Sequence, residues 1–187
     1  MCMKEHEISK WKVLHSEYLF RDPWLTVRRQ EMLLPNGNII PSYYILEYPA
    51  WVCTLALTKE GRMVLVRQYR PGLDRVSPEL CAGVVDDTDA SAMEAAQREL
   101  MEETGYGNGD WTLFMTVSAN PGTHTNLTYC FLATGVEKLS GQHLEKTEDI
   151  AVELLEPEAV KKLLEQGEFM QAMHSAVLWK YFCEAGK

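Results

Sequence analysis

Apolar and polar positions set out strands along the first two thirds of the chain and helices near its end. Residues 11–20 (Trp11-Lys12-Val13-Leu14-His15-Ser16-Glu17-Tyr18-Leu19-Phe20) and 24–34 read as strands, Asn36-Gly37 is a two-residue hairpin signal, and a third strand runs from about Ile39 to Tyr48. These make a small antiparallel sheet. Val52–Thr58 and Met63–Tyr69 are apolar strands joined by a tight turn at Glu60-Gly61. A helix is expected from about Ala90 to Thr104, with Met93, Ala96 and Leu100 turned toward the sheet, Ala96 allowing close packing, and Gln97 at the edge of the stripe. Trp111–Val117 and Leu127–Thr134 are further strands around a loop containing Pro121-Gly122, and Ile150–Leu155 is the last. Glu158–Gln166 and Met170–Cys183 have helical periodicity, with Pro157 suited to start the first helix and Gly167 to stop it. Strands first, one helix in the middle and two at the end describe an α+β fold or an α/β/α sandwich.

The chain of 187 residues suits one domain with an appended strand layer and is short for two ordinary domains. Its 46% apolar and 24% charged residues are those of a soluble globular protein. There is no apolar run of membrane-spanning length and no apolar segment at the amino terminus (Met1-Cys2-Met3-Lys4-Glu5-His6), so the cytoplasm is the expected location. The five cysteines, Cys2, Cys53, Cys81, Cys130 and Cys183, form no C-x-x-C pair and suggest neither a disulfide framework nor a zinc site; Cys53, Cys81 and Cys130 lie in apolar, core-like runs. A net charge of −9 argues against nucleic-acid or membrane-surface partners, which require a basic footprint. A small anionic substrate remains compatible, because Arg62, Arg67, Arg70 and Arg75 gather positive charge within fourteen residues. The five histidines share no metal-ligand spacing and read as surface or locally bonded residues; His124 stands out only for its place on the 118–124 loop.

The most informative run is Arg98-Glu99-Leu100-Met101-Glu102-Glu103-Thr104-Gly105. On a helix, Glu99, Glu102 and Glu103 place three carboxylates on about one face. Like charges roughly 4 Å apart cost about 1 kcal/mol in water and about 4 kcal/mol at an effective dielectric near 20, and a hard divalent cation would offset them. The plain alternative is a glutamate-rich face turned to water. Against it stands the order of the segment: a glycine-punctuated strand and loop, Glu79-Leu80-Cys81-Ala82-Gly83-Val84-Val85-Asp86-Asp87, then the acidic helix, then Gly105 as its stop.

That order resembles the Nudix box, G-x5-E-x7-R-E-U-x-E-E-x-G-U with U apolar, whose second half is matched by Arg98, Glu99, Leu100, Glu102, Glu103, Gly105 and, more loosely, Tyr106. The first half departs from it. Gly83 to Arg98 is fifteen positions where the pattern has fourteen, and the box glutamate is absent, with Asp89 and Ala90 at the two places where it could fall. Asp89 can replace it in a loop one residue longer, as a brace between loop and helix. Arg67-Gln68-Tyr69-Arg70-Pro71-Gly72 and Glu79-Leu80-Cys81-Ala82-Gly83 further resemble segments of the ADP-ribose pyrophosphatase-like branch, from about Trp24 to the final helix.

The resemblance implies an α/β fold: a Nudix-type α/β/α sandwich of mixed sheet and helices (51–187), with an N-terminal antiparallel sheet (1–50) for dimerisation and substrate. It implies metal ligands at the Ala82 carbonyl, Glu99, Glu103 and Glu148. Glu102 assists, and Glu148 is also the candidate general base. It aligns Trp24 with a base-stacking aromatic, and Arg29, Arg70 and Asn120 with substrate contacts; an ordinary strand aromatic and ordinary ion pairs are the duller alternatives for Trp24, Arg29 and Arg70. Oxygen-only ligands select Mg2+, with Mn2+ as the substitute, over zinc. The implied reaction is metal-dependent hydrolysis of a nucleoside diphosphate linked to a sugar, foremost ADP-ribose to AMP and ribose 5-phosphate, by a homodimer. GDP-mannose or another nucleotide sugar is the nearest rival, and a nucleotide-binding regulator without turnover is the rival from another class.

Overall fold

The computed structural model describes residues 8–22 and 25–186. They form two compact units, the described residues up to 48 with 120–126, and residues 49–119 with 127–186.

The smaller unit is a three-stranded antiparallel sheet of β1 (Lys12–Asp22), β2 (Leu25–Leu33) and β3 (Ile39–Glu47), with β2 in the middle. The β2–β3 connection is one residue longer than the Asn36-Gly37 signal suggests. Gly37 donates its N–H to Leu34 O at 3.0 Å, Leu34 donates to Asn38 O at 2.9 Å, and Gly37 sits at φ 85°. This is a three-residue loop closed by a left-handed glycine, and Pro35 at the first loop position favours it over the two-residue turn. Beside β3 runs the 120–126 segment: Leu46 donates to Thr123 O at 2.8 Å, Thr125 donates to Leu46 O at 3.1 Å, and the Tyr43 hydroxyl donates to Gly122 O. β1 is exposed along nearly its whole length.

The larger unit is built on a mixed sheet. β4 (Trp51–Thr58) pairs antiparallel with β5 (Met63–Arg70), and β5 carries β6 (Arg75–Glu79), while β4 carries β7 (Cys81–Val84). After helix α1 (Ala92–Thr104) come the short β8 (Tyr106–Gly107), β9 (Asp110–Val117) and β10 (Thr128–Lys138), the last lying parallel to β4 and antiparallel to β9. β11 (Ile150–Leu155) closes the other edge on β5, and α2 (Pro157–Glu165) and α3 (Ala172–Ala185) follow.

Alternation along β4 divides the core into two layers. Cys53, Leu55 and Leu57 pack with Val160, Leu164, Val177 and Leu178 of α2 and α3, whereas Val52 and Ala56 fall in the clusters that contain Ala95, Ala96 and Leu100 of α1. Helices therefore cover both faces of the sheet, the expected α/β/α sandwich. Three sequence expectations shift. Met93 is 36% exposed, because the inward arc of α1 is turned toward the line Ala92–Ala96–Glu99–Glu103 and leaves Met93 at its edge. β10 continues past Thr134, since Gly135 at φ 74° forms a bulge in the ladder with β4 and does not end the strand. The arginine cluster is neutralised in pairs, with Arg67 on Glu153, Arg70 on Glu79 and Arg75 on Glu168.

Candidate active site

Helix α1 is fixed at both ends by its own sequence. Ser91 caps the start by accepting from Glu94 N–H at 3.1 Å, and the Glu94 carboxylate takes the Ala90 N–H at 2.8 Å, a capping-box exchange. At the other end Gly105, at φ 68°, donates to Met101 O at 2.7 Å, and a Cβ there would overlap the Ser140 carbonyl oxygen. The register of the acidic residues is thereby locked against β7.

Glu103 is 4% exposed and accepts the Ala82 N–H at 3.3 Å. Glu99 lies against Gly83, where any Cβ would overlap its carboxylate. Glu102 stands at the rim, its side chain 43% exposed. Glu148, on the loop before β11, is half-buried and accepts the Glu145 N–H at 2.8 Å. The Cys81 thiol is pushed well above its ordinary range by burial and by the charges of Glu103, Glu99 and Glu148. Burial pushes the Glu103 carboxyl up to about 7, the Cys81 thiol and Ala82 N–H opposing and the Glu99 and Glu148 charges adding. Glu99 is also raised, chiefly by burial, with Arg98 opposing.

Among the described residues no three His, Cys, Asp or Glu side chains are gathered closely enough to hold an ion as they stand. Each carboxylate is held by a local donor instead: Glu99 by Arg98, Glu103 by Ala82 N–H, and Glu148 by Glu145 N–H. The donor set nevertheless fits a hard dication. It is oxygen throughout, and two of its carboxylates are buried anions whose raised pKa records too little compensating charge.

Arg98 is the hub that sequence spacing alone left undescribed. It donates to Asp89 through Nε at 3.1 Å and Nη2 at 3.0 Å, to the Val84 carbonyl at 3.0 Å, and through Nη1 to both Glu99 and Glu102 at 3.0 Å. Asp89 is almost fully buried, accepts the Asp86 N–H as well, and is held below its usual range by the Arg98 bonds. The aspartate thus braces the longer loop, as the resemblance implies for the missing glutamate. Gln142 was not foreseen either. Its amide donates to Glu103 O at 2.8 Å and Ile150 O at 2.9 Å, tying the Glu148 loop to the end of α1, and nothing in a lone loop glutamine signals this.

The other sequence candidates are dispersed. Arg29 is bound to Glu17 and Asn120 accepts the Gly122 N–H at 3.3 Å, both within the smaller unit, and Trp24 lies outside the described residues. Arg70 grips buried Glu79 through Nε at 2.8 Å and Nη2 at 2.6 Å, leaving Nη1 unused by that carboxylate. Arg70 also lines a cavity of about 260 Å³ together with Trp51, Ala82, Gly83, Thr128 and His174, so the cavity abuts the carboxylate cluster through the Ala82-Gly83 backbone.

The glycine at 83 gives a direct test of this geometry. Gly83→Ala is expected to fold, because the backbone there is ordinary, but to displace the Glu99 carboxylate, and hydrolytic rate should fall by about a hundredfold. Rate and melting temperature measured together decide it; an unimpaired Ala variant would mean that the position of Glu99 is immaterial.

Residues 11–46 match the nucleoside diphosphate sugar hydrolase N-terminal domain and residues 47–174 match the NUDIX domain. The ADP-ribose pyrophosphatase of Bacillus subtilis (strain 168) is 31% identical over 163 residues, 86% of each chain, and the methanol dehydrogenase activator of Bacillus methanolicus is 28% identical over 68% of each. A crystal structure of an ADP compounds hydrolase superposes with a TM-score of 0.83 at 22% identity, over 97% of this chain and 98% of that one, and shares its fold. With the NUDIX domain spanning most of its length and the box helix folded against its glycine loop, this chain belongs to the Nudix hydrolases.

Proposed function

We propose that the protein hydrolyses ADP-ribose to AMP and ribose 5-phosphate with Mg2+, which Mn2+ can replace. The observation that supports this reading is the placement of Glu103 on the Ala82 N–H and of Glu99 against Gly83, beside the cavity that Ala82 and Gly83 line. The B. subtilis relative, matched over 86% of its length, bears the name ADP-ribose pyrophosphatase, which supports the choice of substrate.

The Ala82 carbonyl, Glu99, Glu103 and Glu148 are the assigned cation ligands. A bound dication there supplies positive charge to the diphosphate and lowers the pKa of a coordinated water. Glu148 takes the proton of the attacking water as a new P–O bond forms and the bridging P–O bond breaks. Glu102 assists from the rim by sharing Arg98 with Glu99, which holds that carboxylate in place. Trp24 is assigned to stacking on the base, and Arg29, Arg70 and Asn120 to substrate contacts, Arg70 through the Nη1 that Glu79 leaves unused.

The assay is direct: ADP-ribose, GDP-mannose and a diadenosine compound with and without Mg2+, the products separated by chromatography. AMP and ribose 5-phosphate formed only with the cation, and fastest from ADP-ribose, is the expected result. Faster cleavage of GDP-mannose would move the substrate assignment, and nucleotide binding without turnover would remove it.

The protein is further proposed to be a cytoplasmic homodimer. Cys53, Cys81 and Cys130 are free and buried, as a reducing compartment allows, and β1 exposes the apolar side chains Val13, Leu14, Tyr18, Leu19 and Phe20, which a second copy would cover. Sedimentation should give twice the chain mass, and Tyr18→Glu with Phe20→Lys should shift it to one.

A further inference from the structure

The carbonyls at the end of α1 meet one stretch of chain, residues 138–143. The His143 N–H donates to Glu102 O at 2.8 Å, the Gln142 amide to Glu103 O at 2.8 Å, the Lys138 ammonium to Thr104 O at 2.6 Å, and the Leu139 and Ser140 N–H groups to Gly105 O at 2.8 and 3.2 Å. A helix leaves its last carbonyls without intrahelical partners, so these donors cap α1. Gln142 reaches beyond the cap. Its Nε2 also donates to Ile150 O at 2.9 Å, where β11 begins. Both partners are carbonyl oxygens, which only accept, so the amide nitrogen and not the amide oxygen faces them, and both of its hydrogens are used.

Those two carbonyls belong to backbone that carries two of the cation ligands assigned above. Glu103 is itself one, and Ile150 directly follows Glu148-Asp149. Residues 143–149 are therefore a loop closed at its neck by a single side chain. Within the loop, Glu148 donates its N–H to Glu145 O at 3.1 Å, and its carboxylate accepts the Glu145 N–H at 2.8 Å. These bonds hold the turn together but do not join it to α1; the neck does. With the neck closed, few torsions separate Glu148 from the helix that bears Glu99 and Glu103, and with it open the ends of the loop are free to part. Gln142 is exposed, so it adds little packing of its own, and without it the other donors to α1 remain.

We propose that Gln142 is a positioning residue for hydrolysis: by bridging Glu103 O and Ile150 O it sets where Glu148 stands relative to the carboxylates of α1. The proposal rests on the reading given under Proposed function. Gln142 touches neither substrate nor cation and moves no proton; it acts through Glu148.

Two substitutions open the neck in different ways. Gln142→Met keeps the length of the side chain and removes both donors, and Gln142→Asn keeps the amide but is one methylene too short for the bridge. Both variants are expected to fold, with kcat for ADP-ribose lowered on the order of tenfold or more at nearly unchanged KM, and with Mn2+ bound several-fold more weakly. In a Glu148→Gln background the same substitutions should change kcat by less than about twofold, because the group they position is already gone. A purely structural role predicts the same fold-loss in both backgrounds. Unchanged kcat in the Met and Asn variants, equal losses with and without Glu148, or a raised KM at constant kcat would overturn the proposal. If wild-type protein leaves ADP-ribose intact, the catalytic reading fails on its own, and hydrogen exchange still tests the neck. Amides of residues 143–149 exchanging about tenfold faster in the Met variant, with α1 unchanged, is the expected result, and equal exchange in both proteins would overturn the bridge.

Discussion

Glu103→Gln is expected to reduce hydrolysis to a trace, so that only a rate near that of wild type counts as retained activity, while leaving the fold at least as stable as wild type. The amide is nearly isosteric with the carboxylate and its oxygen can still accept the Ala82 N–H, so packing is preserved. What disappears is the negative charge at the most buried of the cation-ligand side chains assigned here. Losing an anionic ligand of this kind removes several kcal/mol of transition-state stabilisation, so kcat should fall on the order of a thousandfold. Stability should move the other way, and with pH. The Glu103 pKa is raised by burial to about 7, so between the ordinary carboxylate range and pH 7 the folded protein binds more protons than the unfolded chain. Stability of cation-free wild type therefore declines as pH rises through that window, by an amount on the order of a few kcal/mol, and Gln at 103 is free of that decline. Melting in chelator at pH 5 and pH 8 should show wild type and variant close together at the lower pH and the variant ahead at the higher. Added Mg2+ should raise wild type alone. A variant that still hydrolyses ADP-ribose, or that gains as much from Mg2+ as wild type, would remove Glu103 from the site.

The order of elements was legible because most of them are local. β11 falls at Ile150–Leu155, where the pattern places it, and Pro157 opens α2 as expected. Less legible were features that depend on what a segment meets in space. Met93 belongs to the apolar stripe by spacing, but α1 turns Glu99 and Glu103 inward against the Ala82-Gly83 strand, a tertiary demand that hydropathy opposes. The pattern ends the strand at Thr134, yet β10 continues through a bulge at Gly135 because β4 runs beside it in parallel. At the site, the box helix and its glycines announced themselves in sequence. The partners of the arginines did not: four basic residues near one another read as an anion site, whereas Arg67, Arg70 and Arg75 each find a carboxylate distant in the chain or across a hairpin. His174, read with the other histidines as a surface or locally bonded residue, is instead fully buried and accepts the N–H of Leu80, ninety-four residues away, a contact that no local pattern signals.

Asp89 and Arg98 show how the loop accommodates its extra residue, and they define the second large effect. In a loop one residue longer, a glutamate at 89 would carry its carboxylate past the guanidinium, whereas the shorter aspartate meets Nε and Nη2 side by side at 3.1 and 3.0 Å. The same guanidinium holds the Val84 carbonyl and restrains Glu99 and Glu102, so loop, helix and two carboxylates share one cation. Arg98→Met keeps the aliphatic stem and removes all of these bonds. Asp89, its side chain 5% exposed under the guanidinium, then keeps the Asp86 N–H as its remaining support. The pair lies near the surface, with the Arg98 side chain 27% exposed, so the variant should lose about 1–2 kcal/mol, a melting shift of roughly 2–8 °C. Activity should fall more than stability explains, because Glu99 loses its restraint. Asp89→Asn alone should cost less, and combined with Arg98→Met it should restore part of the lost stability, since no unpaired anion remains. Thermal melting of the two single variants and the double variant measures this coupling directly. Strict additivity would show that Arg98 and Asp89 act independently, and the brace would then have to be sought elsewhere in the loop.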